Sequence, residues 1–303
     1  MTSPAKKESM PSIIPDLRTE YHAFIRDKII RISSGGVLGI GYPNFADGNS
    51  RTSVSIAWGI YRRLATEESA NHAVEAVSAQ ARGNRFEDAT LAFLQKAFAF
   101  LAHLRPGEWH LATDKNIASF DQYRHLAYLS SALERDKALK TIFGASSDYV
   151  VTSDIIVARL PVTDEEINRE HSVVDDDPQI AAHTRFRQRN NPHYPILHAS
   201  ISCKWTIRSD RTQNTRTEAL NLIRNRKGRA PHIVAVTAEP LPTRIAAIAL
   251  GVGDLDCVYH FALPELRESL IELDNLDQLE LLDMMVEGMR LRDISDLPFD
   301  LAV

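Results

Sequence analysis

The chain has 303 residues, 44% hydrophobic and 25% charged, enough for a sizeable core in one large or two modest domains. Its 35 lysines and arginines against 40 aspartates and glutamates leave a formal net charge of −5, which excludes a protein that coats nucleic acid through bulk positive charge. No apolar run approaches the roughly 18 residues of a membrane span, the N-terminal MTSPAKKESMPS lacks the apolar centre of a secretory signal, and two cysteines, Cys203 and Cys257, make neither a disulfide framework nor a metal-ligand spacing.

A reducing, cytoplasmic setting is therefore expected. Residues 1–13 read as a loose N-terminus. Helices are predicted over 14–31 and 53–66, on either side of a Gly/Ser/Asn-rich loop, SSGGVLGIGYPNFADGNS, that ends near Ser50. The loop holds Gly39 and Gly41 but has no Gly-Lys-Ser/Thr ending and follows no clear strand, so phosphate-loop chemistry is not expected there. Between Phe86 and Leu104, apolar residues at Leu91, Leu94, Phe98, Leu101 and Ala102 keep the spacing of one helix face. Glu87 sits on that stripe, four residues before Leu91. A carboxylate facing inward needs a partner, because desolvating it alone is costly or shifts its pKa. Glu87 is therefore either bonded to Arg82 or Arg85 near the helix start, or functional.

From Ser147 the pattern changes to strands, predicted at 149–158, 196–207 and 233–237, all rich in β-branched residues. The polar stretch 161–195 carries Asp175-Asp-Asp177 and then Arg185, Arg187 and Arg189. It is expected to leave the sheet as a long solvated excursion, with contact to phosphates the alternative. A helix over 212–226 turns Ala219, Leu222 and Ile223 inward and is stopped by Gly228 and Pro231. Further helices over 243–250, 264–273 and 276–291 surround a short strand at 257–262. Leu282, Met285, Val286 and Met289 form a stripe read as core, or else as a subunit contact. The order strand, strand, helix, strand implies an α/β fold. With no repeat and no linker, one domain is expected over 14–303, mainly helical over 14–146 and with an α/β core over 147–303.

Charge is unevenly placed. From Lys204 to Arg229, eight basic residues stand against Asp210 and Glu218, either as a solvated helix face or as a nucleic-acid surface. The same stretch lies beside residue types that cut phosphodiesters. That hydrolysis needs neutralised non-bridging oxygens, an activated in-line water and help for the leaving oxygen, all of which carboxylate-held Mg²⁺ supplies. Side chains alternate along the strand ending at Lys204, so Ser202 and Lys204 emerge on one face and Cys203 on the other. Lys204 can then approach a water held at Asp154, orienting it or stabilising charge on the phosphoryl group; an isolated lysine there is simply exposed. Glu218, about two turns into the next helix, can fold back toward the strand edge. Arg208, Asp210 and Arg211 suit base edges: arginine bonds guanine N7 and O6, and aspartate accepts from cytosine N4, each good pair contributing about 1–3 kcal/mol of discrimination. The plain alternative is a helix-start aspartate near arginines.

The segment KWTIRSDRTQNTRTE at 204–218 resembles type II restriction endonucleases of the NgoMIV kind, in the CCGG-recognising branch of the PD-(D/E)xK nuclease superfamily. The similarity is clear over 198–226 and weaker at 80–90 and 150–158. The family sets its carboxylate on the helix after the lysine, where Glu218 lies here, while Ser202 occupies the position two residues before Lys204. Ser153 stands where the superfamily often has proline. The resemblance implies a restriction-endonuclease-like core, a central mixed β-sheet flanked by helices, and an active site of Asp154, Lys204 and Glu218. It further implies two Mg²⁺ ions held by Asp154 and Glu218, with Glu87 as an additional acidic group and Ser202 among the catalytic set. Arg208, Asp210 and Arg211 match the family's motif for reading the central CCGG, and Asp47 and Gln80 are candidates for the outer base pairs.

The activity so implied is Mg²⁺-dependent cleavage of double-stranded DNA at a CCGG palindrome, GCCGGC, after the first G to leave four-base 5′ overhangs. A symmetric site favours a symmetric protein, and the family resemblance extends this to a homotetramer, a dimer of dimers on two sites, with a cognate DNA cytosine methyltransferase as functional partner. The alternatives are a DNA-binding regulator that has lost catalysis and a structure-specific repair nuclease on the same fold.

Overall fold

Helix α1 (Ile13–Lys28) buries Leu17, Tyr21, His22 and Ile25, one stripe at three- and four-residue spacing. A two-stranded antiparallel hairpin follows, β1 (Ile32–Ser33) with β2 (Tyr42–Pro43). Gly41 closes its loop at φ +76°, where a Cβ would lie 2.7 Å from the Ser33 carbonyl oxygen, so a side chain is excluded. The Ser50 side chain then accepts the Ser53 N–H and starts α2 (Arg51–Leu64). Helix α3 (Ala79–Phe100) is capped in the same way by Ser78. These coordinates are a computed structural model that describes residues 12–65, 78–128, 151–207, 209–251 and 253–303, with backbone alone at 79 and 209–213.

The remaining elements are β3 (Trp109–Asn116), β4 (Thr152–Arg159), α4 (Asp164–Ile167), β5 (Ile196–Lys204), α5 (Ser209–Asn225), β6 (His232–Thr237), α6 (Pro242–Ala249), β7 (Cys257–His260), α7 (Leu263–Glu272), α8 (Leu276–Glu287), β8 (Leu291–Asp293) and α9 (Leu297–Leu301). One six-stranded sheet runs in the order β3-β4-β5-β6-β7-β8. Its first two pairings are antiparallel and its last three parallel, the mixed α/β architecture expected. Ile155 to Ala158 and Val234 to Val236 are buried without alternation, as strands covered on both faces must be. Helix α3 packs against β3, β4 and β5, and α1 packs on α3. Helix α5 brings Ala219 and Leu222 over Ser153, Ser200 and Ser202. Pairing of Ile155 with Ile201 sets Asp154 next to Ser202 at the end of the sheet where β5 leaves the core.

Several boundaries differ from the sequence reading. β3 comes from the stretch expected to be helical, and it is a strand because β4 pairs with it; its own pattern is too polar to announce one. β8 takes the end of the helix predicted over 276–291. Helix α5 begins at Ser209, three residues early, so Asp210 and Arg211 belong to its first turn. The excursion 161–195 is largely exposed, as expected, but ion pairs tie it down: Arg187 is 2% exposed and holds Asp164 at 2.5 and 2.7 Å, while Arg185 reaches Asp121 at 3.0 Å and Arg189 makes a surface pair with Asp176 at 3.1 Å.

Candidate active site

The end of β5 opens into a polar cleft of about 370 Å³, lined by Asp47, Gln80, Glu87, Asp154, Lys204, Glu218 and Arg244 among others. Backbone geometry dictates its centre. Asp154 Oδ2 accepts the Cys203 N–H at 2.8 Å and the Lys204 ammonium at 2.9 Å, with the Ser202 hydroxyl at 3.5 Å. Glu87 enters from α3 on one face of the sheet and Glu218 from α5 on the other. Cys203 points into the core, 4% exposed, as the alternation requires, and burial pushes its thiol well up.

Three carboxylates surround Lys204 at the centre of the cleft, with Arg82 and Arg244 elsewhere on its walls. Burial, then Asp154 and Asp114, push the Glu87 carboxyl up to about 7. Burial also raises Glu218, with Lys204 opposing the rise and Asp154 adding to it. Burial by itself would lower the Lys204 ammonium; Asp154 and Glu218 outweigh that and hold it above its usual value. The alternative of Arg85 as the partner of Glu87 is removed, because the Arg85 guanidinium donates to the Lys28 carbonyl at 2.9 Å.

The reading candidates are only partly visible. Arg208 lies outside the described residues, and Asp210 and Arg211 are described by backbone alone, at the mouth of the cleft where α5 begins. Gln80 is exposed on the first turn of α3, bonded to Asn84 at 2.9 Å. Asp47 bonds Arg244 across the cleft. Part of the basic stretch after Lys204 is structural, since Arg216 is paired with Asp254 at 2.9 Å.

Arg244 was not foreseen, although a signal existed. It stands in the first turn of α6, where the helix dipole disfavours a cation, so its presence asks for another reason. Trp205 was also missed. It is 5% exposed and packs against Phe45, Phe86 and Phe261, anchoring the chain between Lys204 and α5.

The sequence model of the NgoMIV restriction enzyme family matches residues 21–303. The chain belongs to that family. It is 50% identical over 298 residues to the type II restriction enzyme NgoMIV of Neisseria gonorrhoeae, covering 97% of this chain and 99% of that one. It is thus a type II restriction endonuclease, a site-specific deoxyribonuclease. Among solved structures, the chain aligns with the type IIF restriction endonuclease Bse634I with cognate DNA at TM-score 0.37 and 12% identity, over 67% of this chain and 78% of that one. A second Bse634I structure aligns at TM-score 0.33 and 13% identity, over 71% and 78%. No helix among the described residues of the enzyme is long and apolar enough to cross a membrane.

The donor set suits a hard divalent cation. Asp154, Glu87 and Glu218 offer carboxylate oxygens only, and burial, with the neighbouring Asp154 adding to it, holds Glu87 and Glu218 up in pKa. Among the described residues no three acidic, histidine or cysteine side chains converge closely enough to hold a metal ion unaided. Mg²⁺ does not require that, since it ordinarily takes one or two carboxylates and completes its shell with water and substrate phosphate.

Proposed function

We propose that this enzyme hydrolyses both strands of duplex DNA at GCCGGC in a Mg²⁺-dependent reaction, cutting after the first G to leave four-base 5′ overhangs. The observation that carries the reading is the Lys204 ammonium 2.9 Å from Asp154 in a cleft that also receives Glu87 and Glu218, with helix α5, whose first turn carries Asp210 and Arg211, starting at the cleft mouth.

Asp154 and Glu218 would hold the metal, with Glu87 as a further acidic group. When bound, Mg²⁺ supplies charge neutralisation at the phosphate and a more acidic water. Lys204, whose ammonium donates to Asp154 at 2.9 Å, would orient the attacking water and offset negative charge in the transition state. Ser202 donates to the same Asp154 oxygen and holds that carboxylate in place rather than taking a metal itself. Arg208, Asp210 and Arg211 read the central CCGG through guanine and cytosine major-groove edges. Asp47 and Gln80 line the same cleft, with Arg244 bonded to Asp47, and would contact the outer base pairs. The palindrome calls for two-fold symmetry in the protein, met by a homotetramer built as a dimer of dimers in the cytoplasm, with a cognate cytosine methyltransferase protecting the host sites.

The test is cleavage of plasmids carrying zero, one or two GCCGGC sites, with and without Mg²⁺, with ends mapped by sequencing and with Lys204→Ala as the control. Cuts at that sequence alone, lost in the variant and faster on two sites, are expected. Specific binding without any cleavage by the wild type would mean a regulator instead.

A further inference from the structure

Glu239 follows β6 in the sequence Thr237-Ala-Glu-Pro240 and is completely buried, behind the cleft wall rather than in it. A carboxylate withdrawn from water is expensive unless its oxygens are used. Both are. Oε2 accepts the Ile207 N–H at 2.9 Å, and Oε1 accepts the Leu241 N–H at 3.3 Å while facing the Arg244 guanidinium at 3.7 Å. Ile207 is the last residue before the segment that leads into α5, and Leu241 is the N-cap of α6, whose first turn carries Arg244.

The neighbouring atoms extend the same connection to the catalytic lysine. The Thr237 hydroxyl donates to the Lys204 carbonyl oxygen at 2.8 Å and accepts the Glu239 N–H at 3.1 Å. His260 Nε2 lies 3.2 Å from the Glu239 carbonyl oxygen and steadies the turn from behind. One buried side chain therefore ties together the backbone after Lys204, the start of α5 and the Arg244 pair with Asp47. An apolar side chain would fill this volume but leave the Ile207 and Leu241 N–H groups without their acceptor, so the glutamate is held here by the bonds it makes rather than by packing.

We infer that Glu239 is a positioning residue that sets the spacing between α5 and the Arg244–Asp47 pair, and thereby governs base discrimination more than the rate of bond cleavage. The inference rests on the reading of the α5 start as the base-reading segment. Glu239 touches neither DNA nor the reacting groups; it acts through Ile207 and Arg244.

Two substitutions separate its two bonds. Glu239→Gln keeps an acceptor for the Ile207 N–H and removes the charge facing Arg244, whereas Glu239→Leu removes both and keeps the volume. We would measure kcat and KM on the wild type's own cleavage sequence and on every single-base variant of it, together with amide hydrogen exchange at Ile207 in the DNA-free protein. The expected result for Glu239→Leu is a fall of about tenfold or more in preference at inner and outer positions, the scale of one lost charge-assisted hydrogen bond, with faster Ile207 exchange. Glu239→Gln should lose preference mainly at the outer positions, with Ile207 still protected and kcat changed less than discrimination. Folded variants with wild-type discrimination would overturn the inference, as would an equal loss of kcat on all sequences that merely follows a drop in Tm. A wild type without sequence preference would overturn the parent reading, and this inference with it; a specific wild type with indifferent Glu239 variants overturns this inference alone.

Discussion

Replacing Lys204 by methionine removes the ammonium that stands among three carboxylates while keeping most of the side chain's volume. At 2.9 Å the attraction to Asp154 is roughly 6 kcal/mol at an effective dielectric of 20. Much of that is offset by desolvation, because the side chains are 19% and 23% exposed, between a surface pair and a buried one. Leaving Asp154 unpaired should therefore cost about 2 kcal/mol of stability. Lys204 also opposes the rise of Glu87 and Glu218, so its loss pushes both carboxyls further up. Raised carboxyls are relieved by protonation, so the cost is largest at pH 8 and shrinks toward pH 5. Urea unfolding of Lys204→Met, Asp154→Asn and the double variant at both pH values measures this directly. The double variant should recover most of the loss, all three should fail to cleave DNA, and added Mg²⁺ should restabilise Lys204→Met without restoring activity. A cost that is equal at pH 5 and pH 8, or strictly additive in the double variant, would refute the charge balance described here.

Glu239, pushed up to about 7 by burial against the opposing pull of Arg244 and with Asp47 adding to the rise, carries no ionisation penalty below its unfolded pKa and the full penalty above 7. Glu239→Gln should therefore gain up to about 3 kcal/mol relative to wild type between pH 5 and pH 8 in chemical denaturation, and a loss over that range would contradict the assignment. Mg²⁺ should raise the Tm of the wild type more at pH 8 than at pH 6, since Glu87 has to ionise before it can help hold a cation; calorimetry showing the reverse order would remove Glu87 from the site. Arg18 binds Glu265 at 2.7 and 2.8 Å and Asp293 at 2.9 Å, joining α1 to α7 and β8, so Arg18→Met strands two largely buried carboxylates and should cost about 3–5 kcal/mol. Arg62→Ala breaks only an exposed pair with Glu272 and should cost under about 1 kcal/mol in the same urea titration, a contrast that fails if the two variants unfold together.

Legibility followed burial pattern. β6 was readable because a strand covered on both faces is nearly continuously apolar, β5 because it alternates small polar residues with isoleucine, alanine and cysteine, and α5 because its inward residues repeat at helical spacing. β3 was hidden for the opposite reason: an edge strand with exposed positions takes its conformation from hydrogen bonds to β4, and those partners are about forty residues away in the chain. The arginines of 161–195 looked like solvated charge because nothing local reveals that Asp164 and Asp121 fold back to meet Arg187 and Arg185.

The sequence by itself determined the chemistry available: Asp154, Lys204 and Glu218 in family order, an acidic residue on the inward face of α3, and a segment of Arg208, Asp210 and Arg211 directly after the lysine. Those are properties of residue type and short-range spacing, which strand alternation and helical periodicity carry. Tertiary structure alone decided which groups share the cleft. Glu239 reaches Ile207 because parallel pairing of β5 with β6 brings the ends of the two strands side by side, and Arg244 on α6 meets Asp47 from the loop before α2, 197 residues away in the chain. Such contacts depend on which strands neighbour each other, and no local pattern of residues encodes that choice.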